Sequence, residues 1–219
     1  MQVKGIIFDF DGTLADTSPI IFASFDHSCR KVLGHTVDRK DFIRTFGQPL
    51  RPSLEKLFPG KGGEICDIYR AYQQVHHDEL IRPFPGVRET LESLRERGIR
   101  MAVVTSKFTE TALRGMNCVG IASFFEDVIG AEKITRPKPD PQPCLEALDI
   151  LGVDPSQCLC VGDSPYDLVS GKKAGCTTVA VDYSLFERDL LHQWGNPDHT
   201  VSTMPDLLPL IGRLEGKAD

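Results

Sequence analysis

The sequence predicts an α/β fold in which a mostly parallel sheet is interrupted, after its first strand, by an inserted block of helices. Three observations carry this expectation. Short apolar, β-branched runs alternate with helical segments from about residue 82 onward. Residues 16–80 have helical density and no convincing strand. Acidic and hydroxyl residues follow the apolar runs directly, at the strand ends where open sheets of this kind place their sites. The chain has 219 residues, 41% of them hydrophobic and 26% charged, a balance that buries a sizeable core and stays far from the disorder-prone class.

Taken in order, residues 3–8 (Val-Lys-Gly-Ile-Ile-Phe) are a strand, and Asp9, Phe10, Asp11, Gly12 and Thr13 form an acidic loop at its carboxyl end. Residues 20–33 are dense enough in apolar side chains for a helix. A second helical stretch starts at Asp38 and breaks at Gly47-Gln48-Pro49, and a third covers about 52–58. The cluster Pro59-Gly60-Lys61-Gly62-Gly63 interrupts the chain before a longer helix over 64–80. Residues 87–97 form an amphipathic helix that Gly98 stops, and 99–104 form a strand ending in Thr105, Ser106 and Lys107. A helix over 109–118, a short strand over 127–129 and a helix over 141–151 follow. The strand over 157–161 closes on Gly162, Asp163 and Ser164. A helix over 166–174, a strand over 177–181 and a last strand-helix pair opening at 199–201 complete the pattern.

Charge and cysteine usage exclude several functions. Asp and Glu number 31 against 25 Lys and Arg, a formal charge of -6, so no broad attraction for nucleic acid is expected. No apolar run approaches a membrane span, and the first residues lead straight into the acidic motif without the regions of a signal peptide, which predicts a cytoplasmic protein. The seven cysteines lack the paired spacing of zinc or disulfide frameworks, and Cys158-x-Cys160 reads as buried thiols.

The residues able to carry chemistry lie at strand exits. Asp9 and Asp11 are separated by one residue, so an extended backbone turns both carboxylates to one side, where they share a metal or divide nucleophile and acid roles. A solvated turn and helix cap is the simpler alternative for that loop taken alone. Asp163 and Asp167, four apart after another apolar strand, repeat the situation, with Asp167 also placed to complement a helix N-terminus. Acids converging in this way suit a hard, oxygen-liganded cation, Mg²⁺ above all. Phosphate chemistry needs donors as well. Thr105 and Ser106 offer hydroxyl and backbone groups, and Lys138, stiffened between Pro137 and Pro139, offers charge to a phosphate and a nucleophile.

These motifs, in this order, resemble those of the haloacid dehalogenase-like hydrolase superfamily. Asp9-Phe10-Asp11-Gly12-Thr13-Leu14 resembles its first motif, Thr105 its second, Lys138 its third, and Asp163 with Asp167 its fourth. The resemblance implies a Rossmann-like core over residues 1–15 and 82–219 with a helical cap over 16–81. It implies that Asp9 is the nucleophile, Asp11 the general acid/base, and that Mg²⁺ is held by Asp9, the Asp11 carbonyl and Asp163, with Asp167 in direct or outer support. Thr105 and Lys138 complete the catalytic set. Gly12, Gly47, Arg51, Ser106 and Lys107 are the expected substrate-binding residues, Arg51 through an anionic distal group. Asp11 favours phosphoryl transfer over halide displacement, and neither Lys40 nor Lys56 sits in a recognisable phosphonatase motif.

The cap loop Phe46-Gly47-Gln48-Pro49-Leu50-Arg51 and the terminal Asp206-Leu207-Leu208-Pro209-Leu210-Ile211 resemble the phosphoglycolate phosphatase and inorganic pyrophosphatase branch. The expected partner is a small phosphorylated molecule or inorganic pyrophosphate. A phosphosugar mutase and a phosphate-responsive binding protein are the alternatives. Phe22, Phe25, Phe42 and Phe46 are expected in the core of the cap, Phe8 and Phe10 around the first strand, and His76 and His77 as ordinary helix-end histidines. Trp194 is left open between covering the core and an intermolecular contact, as are monomer and homodimer.

Overall fold

The computed structural model describes residues 1–183, 185–186 and 188–216. In chain order, β1 (Gly5–Phe8) and β2 (Ala15–Asp16) precede four helices, α1 (Ser18–Leu33), α2 (Lys40–Ile43), α3 (Leu50–Leu57) and α4 (Gly62–Leu80). Then come β3 (Arg82–Pro83), α5 (Val87–Glu96), β4 (Arg100–Val104), α6 (Thr109–Cys118), β5 (Val128–Ile129), α7 (Gln142–Leu151), β6 (Cys158–Gly162) and α8 (Pro165–Lys173). The chain finishes with β7 (Thr177–Val181), α9 (Arg188–Gly195), β8 (His199–Val201) and α10 (Leu207–Leu214).

Six strands form one parallel sheet in the order β5-β4-β1-β6-β7-β8. β1 is buried along its whole length, as a strand without polar alternation must be when helices cover both faces. The two-residue period of the strand sorts its side chains. Ile6 and Phe8 join Met101, Val103, Leu159 and Val161 in one core, while Ile7 joins Ala102, Val104, Cys158 and Cys160 in the other. This is the expected Rossmann-like α/β core. The inserted helices build a separate core around Phe25, Phe42, Leu54, Ile65 and Tyr69. In it Phe25 stacks on Phe42 at 4.1 Å and Phe42 meets Phe46 edge-on at 5.4 Å, so three of the four aromatic residues expected in the cap core are there, whereas Phe22 is half-buried at its margin, 6.0 Å from Phe46 and under the Arg39 guanidinium.

Three departures from the sequence reading have a physical cause. The insertion is bounded by a two-stranded antiparallel ribbon, Ala15 opposite Pro83 and Asp16 opposite Arg82, so the expected strand-free stretch opens with a strand residue. Two residues carry no periodic signal. The helix expected from Asp38 shrinks to the single turn of α2, and α9 was not foreseen at all. Its residues, Arg188 to Gly195, mix charged, aromatic and glycine residues, and what they bury is set by α8 beneath them: Leu191 joins Leu168 and Ala180 in a small cluster. Cys118 is exposed, whereas the other six cysteines are buried, and all seven are free. Among the described residues no helix is long and apolar enough to cross a membrane.

Candidate active site

The strand order decides which loops meet. Because β1 lies between β4 and β6, the residues that follow them, Asp9, Thr105 and Asp163, become neighbours at one sheet edge, where the connections diverge to opposite sides. The backbone of Asp9 donates to Val161 O at 2.9 Å and that of Thr105 to Ile129 O at 3.0 Å, so both positions are extensions of the sheet rather than loose loop. Lys138 reaches in from the connection between β5 and α7. Its Nζ donates to Asp9 Oδ1 at 2.8 Å, Asp167 Oδ1 at 2.5 Å and Val104 O at 2.8 Å, using all three ammonium hydrogens.

Asp167 belongs to the first turn of α8. Ser164 caps that helix, and the Asp167 carboxylate takes hydrogen bonds from the Ser164 amide at 3.0 Å and hydroxyl at 2.6 Å. The capping box thus holds one carboxylate oxygen while Lys138 holds the other. Asp167 thus caps its helix and lies in the acidic cluster at the same time.

Asp9, Asp163 and Asp167 are all buried, and their carboxylate oxygens lie within 4.8 Å of one another. One ammonium faces three acids. Burial pushes the Asp9 carboxyl up to about 7, with Asp167 and Asp11 adding to the shift against the opposing pull of Lys138. Burial, Asp167 and Asp9 push Asp163 well above the carboxylate range. Burial opposes the charge on Lys138, but Asp167 and Asp9 overcome it and hold the ammonium above the ordinary lysine range. A buried set of hard oxygen donors short of positive charge fits a divalent cation of the Mg²⁺ type. Gly12 is needed for this approach. It adopts φ +83°, and a Cβ there would stand 2.4 Å from Asp163 Oδ2.

Asp11 is held apart from this cluster by Lys107, whose Nζ donates to Asp11 Oδ1 at 2.6 Å and sits 5.5 Å from the centre of the Phe10 ring. The cap loop closes over the opposite side. The Ser106 hydroxyl donates to Gly47 O at 2.6 Å. Gly47, at φ +86°, approaches so closely that a Cβ would stand 2.5 Å from Ser164 Oγ, and the Gln48 amide donates to the Tyr166 hydroxyl. Pro49 lines a crevice with Thr105, Ser106 and Lys138. Arg51 is exposed, and its hydrogen bonds, to Asp67 and to Gly63 O at 3.4 Å, stay within the cap.

Of the residues singled out in the sequence, Asp9, Lys138, Asp163 and Asp167 therefore cluster together, while Thr105 borders the same crevice as Lys138 and its hydroxyl accepts from the Lys107 amide at 3.2 Å. Asp11 pairs with Lys107, Gly12 backs Asp163, Ser106 and Gly47 bind each other, and Arg51 is engaged elsewhere. Lys40 and Lys56 are exposed. From the sequence no site role attaches to Ser164, Gln48 or Tyr166, and His77 reads as an ordinary helix-end histidine. Ser164 was findable from its Ser-x-x-Asp spacing before a helix. Gln48 and Tyr166, 118 positions apart, were not.

The family model for haloacid dehalogenase-like hydrolases matches residues 6–181. Over 212 residues the sequence is 36% identical to pyrophosphatase PpaX of Halalkalibacterium halodurans, covering 97% of this chain and 98% of that one. It is 36% identical over 211 residues to pyrophosphatase PpaX of Bacillus velezensis, covering 96% and 97%. Among solved structures, a predicted phosphoglycolate phosphatase from Haemophilus somnus superposes with a TM-score of 0.85 at 26% identity, covering 96% of this chain and 98% of the other.

Proposed function

Since this chain belongs to the haloacid dehalogenase-like hydrolase family and carries a phosphatase site on small phosphate substrates, we propose that its preferred substrate is inorganic pyrophosphate, with Mg²⁺ as cofactor. The observation that carries this reading is the end-to-end likeness, cap included, to relatives named pyrophosphatase. In this reading residues 1–15 and 82–219 are the catalytic core and 16–81 the cap that selects the substrate.

Asp9 is the nucleophile. Its carboxylate oxygen bonds to phosphorus as the bond from phosphorus to the leaving oxygen breaks, and an aspartyl-phosphate results. Asp11 gives its proton to the leaving phosphate and then takes one from the water that cleaves the acyl phosphate. Lys138, buried between Asp9 and Asp167, fixes the nucleophile and offsets charge on the phosphoryl oxygens, with Thr105 as a further donor. Asp9, the Asp11 carbonyl and Asp163 would hold Mg²⁺, with Asp167 in support. When bound, the ion supplies Lewis-acid charge to the phosphoryl group. Gly12, Gly47, Ser106, Lys107 and Arg51 are the substrate-side set, Arg51 only after leaving Asp67.

A second reading, 2-phosphoglycolate, has support from the Haemophilus somnus structure and shares the demand for an anionic group beyond the transferred phosphoryl. The test is phosphate release from pyrophosphate, 2-phosphoglycolate, sugar phosphates and nucleotides, with Mg²⁺ and with chelator, beside Asp9→Asn. Mg²⁺-dependent release that is fastest on pyrophosphate and absent in D9N is expected. Turnover of other esters with pyrophosphate inert overturns the substrate assignment, and interconversion of a phosphosugar without phosphate release would make the protein a mutase.

A further inference from the structure

The helix α4 buries a polar stripe for which the chemistry at Asp9 has no use. Tyr69, Gln73 and His77 follow at intervals of four and so share one face, and all three are buried. Gln73 Nε2 donates to the Tyr69 hydroxyl at 3.0 Å. His77 Nδ1 lies 2.9 Å from Asp78 Oδ1. That carboxylate is clamped in turn by Arg114 of α6, which reaches Asp78 Oδ1 at 2.9 Å and donates to Gln74 O at 2.9 Å. A carboxylate accepts, so the neutral ring carries its hydrogen on Nδ1 and Nε2 is left as an acceptor. Among the described residues the buried Nε2 has no hydrogen-bond partner, a state that costs free energy and calls for an explanation.

The ring edge faces the Asp11 side of the site. The Cβ position of Gly115 is 3.1 Å from His77 Cε1 and 2.9 Å from the Phe10 ring, so imidazole and Phe10 border the same spot. Lys107 sits over that same Phe10 ring while bonded to Asp11. Burial keeps His77 below its ordinary pKa against the Asp78 hydrogen bond, and Lys107 acts in the same direction as burial. Lys107 has three N–H donors, and Asp11 takes one of them.

We infer that His77 is a positioning residue that sets substrate preference: its Nε2 accepts a hydrogen bond from Lys107 when an anionic leaving group enters, and holds the ammonium on that group rather than collapsed onto Asp11. This rests on the reading above, in which Asp11 serves the leaving group. Only hydrogen bonds are exchanged, and no covalent bond changes. A substrate whose leaving group lacks a second anion gains little from the arrangement, whereas pyrophosphate gains a directed cation.

The test uses His77→Asn and His77→Gln in the full chain, assayed on pyrophosphate and on phenyl phosphate. The Asn amide replaces Nδ1 and keeps the Asp78 contact, while Gln reaches the place of Nε2. H77N should lower the ratio of kcat/KM for pyrophosphate to that for phenyl phosphate by about 10-fold, chiefly through KM, as expected for one charge-assisted hydrogen bond. H77Q should restore most of it. An unchanged ratio in H77N, or an equal loss on both substrates that Gln does not restore, overturns the inference. A second readout needs no turnover: the ¹⁵N resonance of His77 Nε2 in D9N, with Mg²⁺ and pyrophosphate, should move from the unbonded towards the hydrogen-bonded position, and should not move when Lys107→Met is added. A resonance that stays in place also overturns it. Failure of the wild type to release phosphate from either substrate refutes the phosphatase reading instead, and the resonance still decides the role of His77.

Discussion

Replacing Lys138 by Met tests the electrostatic reasoning most directly, because Met keeps the buried stem and removes the charge. Lys138 is 5% exposed, and its Nζ compensates Asp9 and Asp167 together. Removing one partner of a buried ion pair costs about 3–5 kcal/mol. For a chain of this size each kcal/mol lowers Tm by about 2–4 °C, so K138M should melt about 6–20 °C below the wild type at pH 8 in chelator. The pH dependence follows from the direction of the Asp9 shift. A carboxyl raised to about 7 in the folded protein favours folding fully below its unfolded pKa, and that contribution is lost as pH rises through the folded value. Without Lys138 the folded value climbs further, so the gap between variant and wild type should widen from pH 5.5 to pH 8. Mg²⁺ should narrow it, since the added cation replaces the missing charge. Differential scanning fluorimetry at the two pH values, with and without Mg²⁺, reads all of this. A Tm within 2 °C of wild type at pH 8, or a gap equal at both pH values, would refute the account of three acids sharing one lysine.

Other outcomes follow from the same geometry. Stabilisation of the wild type by Mg²⁺ should be larger at pH 8 than at pH 6, because Asp9 and Asp163 carry raised pKa values and must lose protons to bind the ion; the difference in Tm shift measures it. Ser164→Ala removes the helix cap and one anchor of Asp167, and should cost about 1 kcal/mol together with a fall in kcat, seen by melting and steady-state assay. Gly47→Ala forces a Cβ against Ser164 from a left-handed backbone. It should raise KM and alter the emission of Trp194, the one tryptophan of the chain, which packs edge-on at 4.5 Å against Tyr166, the partner of Gln48. Unchanged emission with unchanged KM would show that the loop does not need this close approach.

Much of the fold was legible because its signals are local. The apolar run before Asp9 admits only a buried strand, the alternation after residue 82 implies a parallel sheet, and the strand-poor stretch after Asp16 implies an insertion. The acids and the lysine were legible too, since Asp9, Asp163 and Lys138 stand directly after strands or between stiffening prolines. What the residues touch was less accessible. Lys107 pairs with Asp11, Ser106 spends its hydroxyl on Gly47, and Arg51 turns to Asp67, each a choice among partners far apart in sequence.

Residue types and their spacing thus determined by themselves the α/β class, the insertion and the acids Asp9, Asp163 and Asp167 of the cluster, though not that Asp11 stands apart on Lys107, because strand period, turn chemistry and the need of buried charge for compensation act over a few residues. The tertiary structure alone decided that β1 lies between β4 and β6, that the Gly47 loop rests on Ser164 and Tyr166, and that His77 is buried beside Phe10 with Nε2 unpartnered among the described residues. Those contacts depend on strand order and on how the inserted helices pack against the core, and the free energy of such packing belongs to surfaces brought together across the chain rather than to any stretch of it.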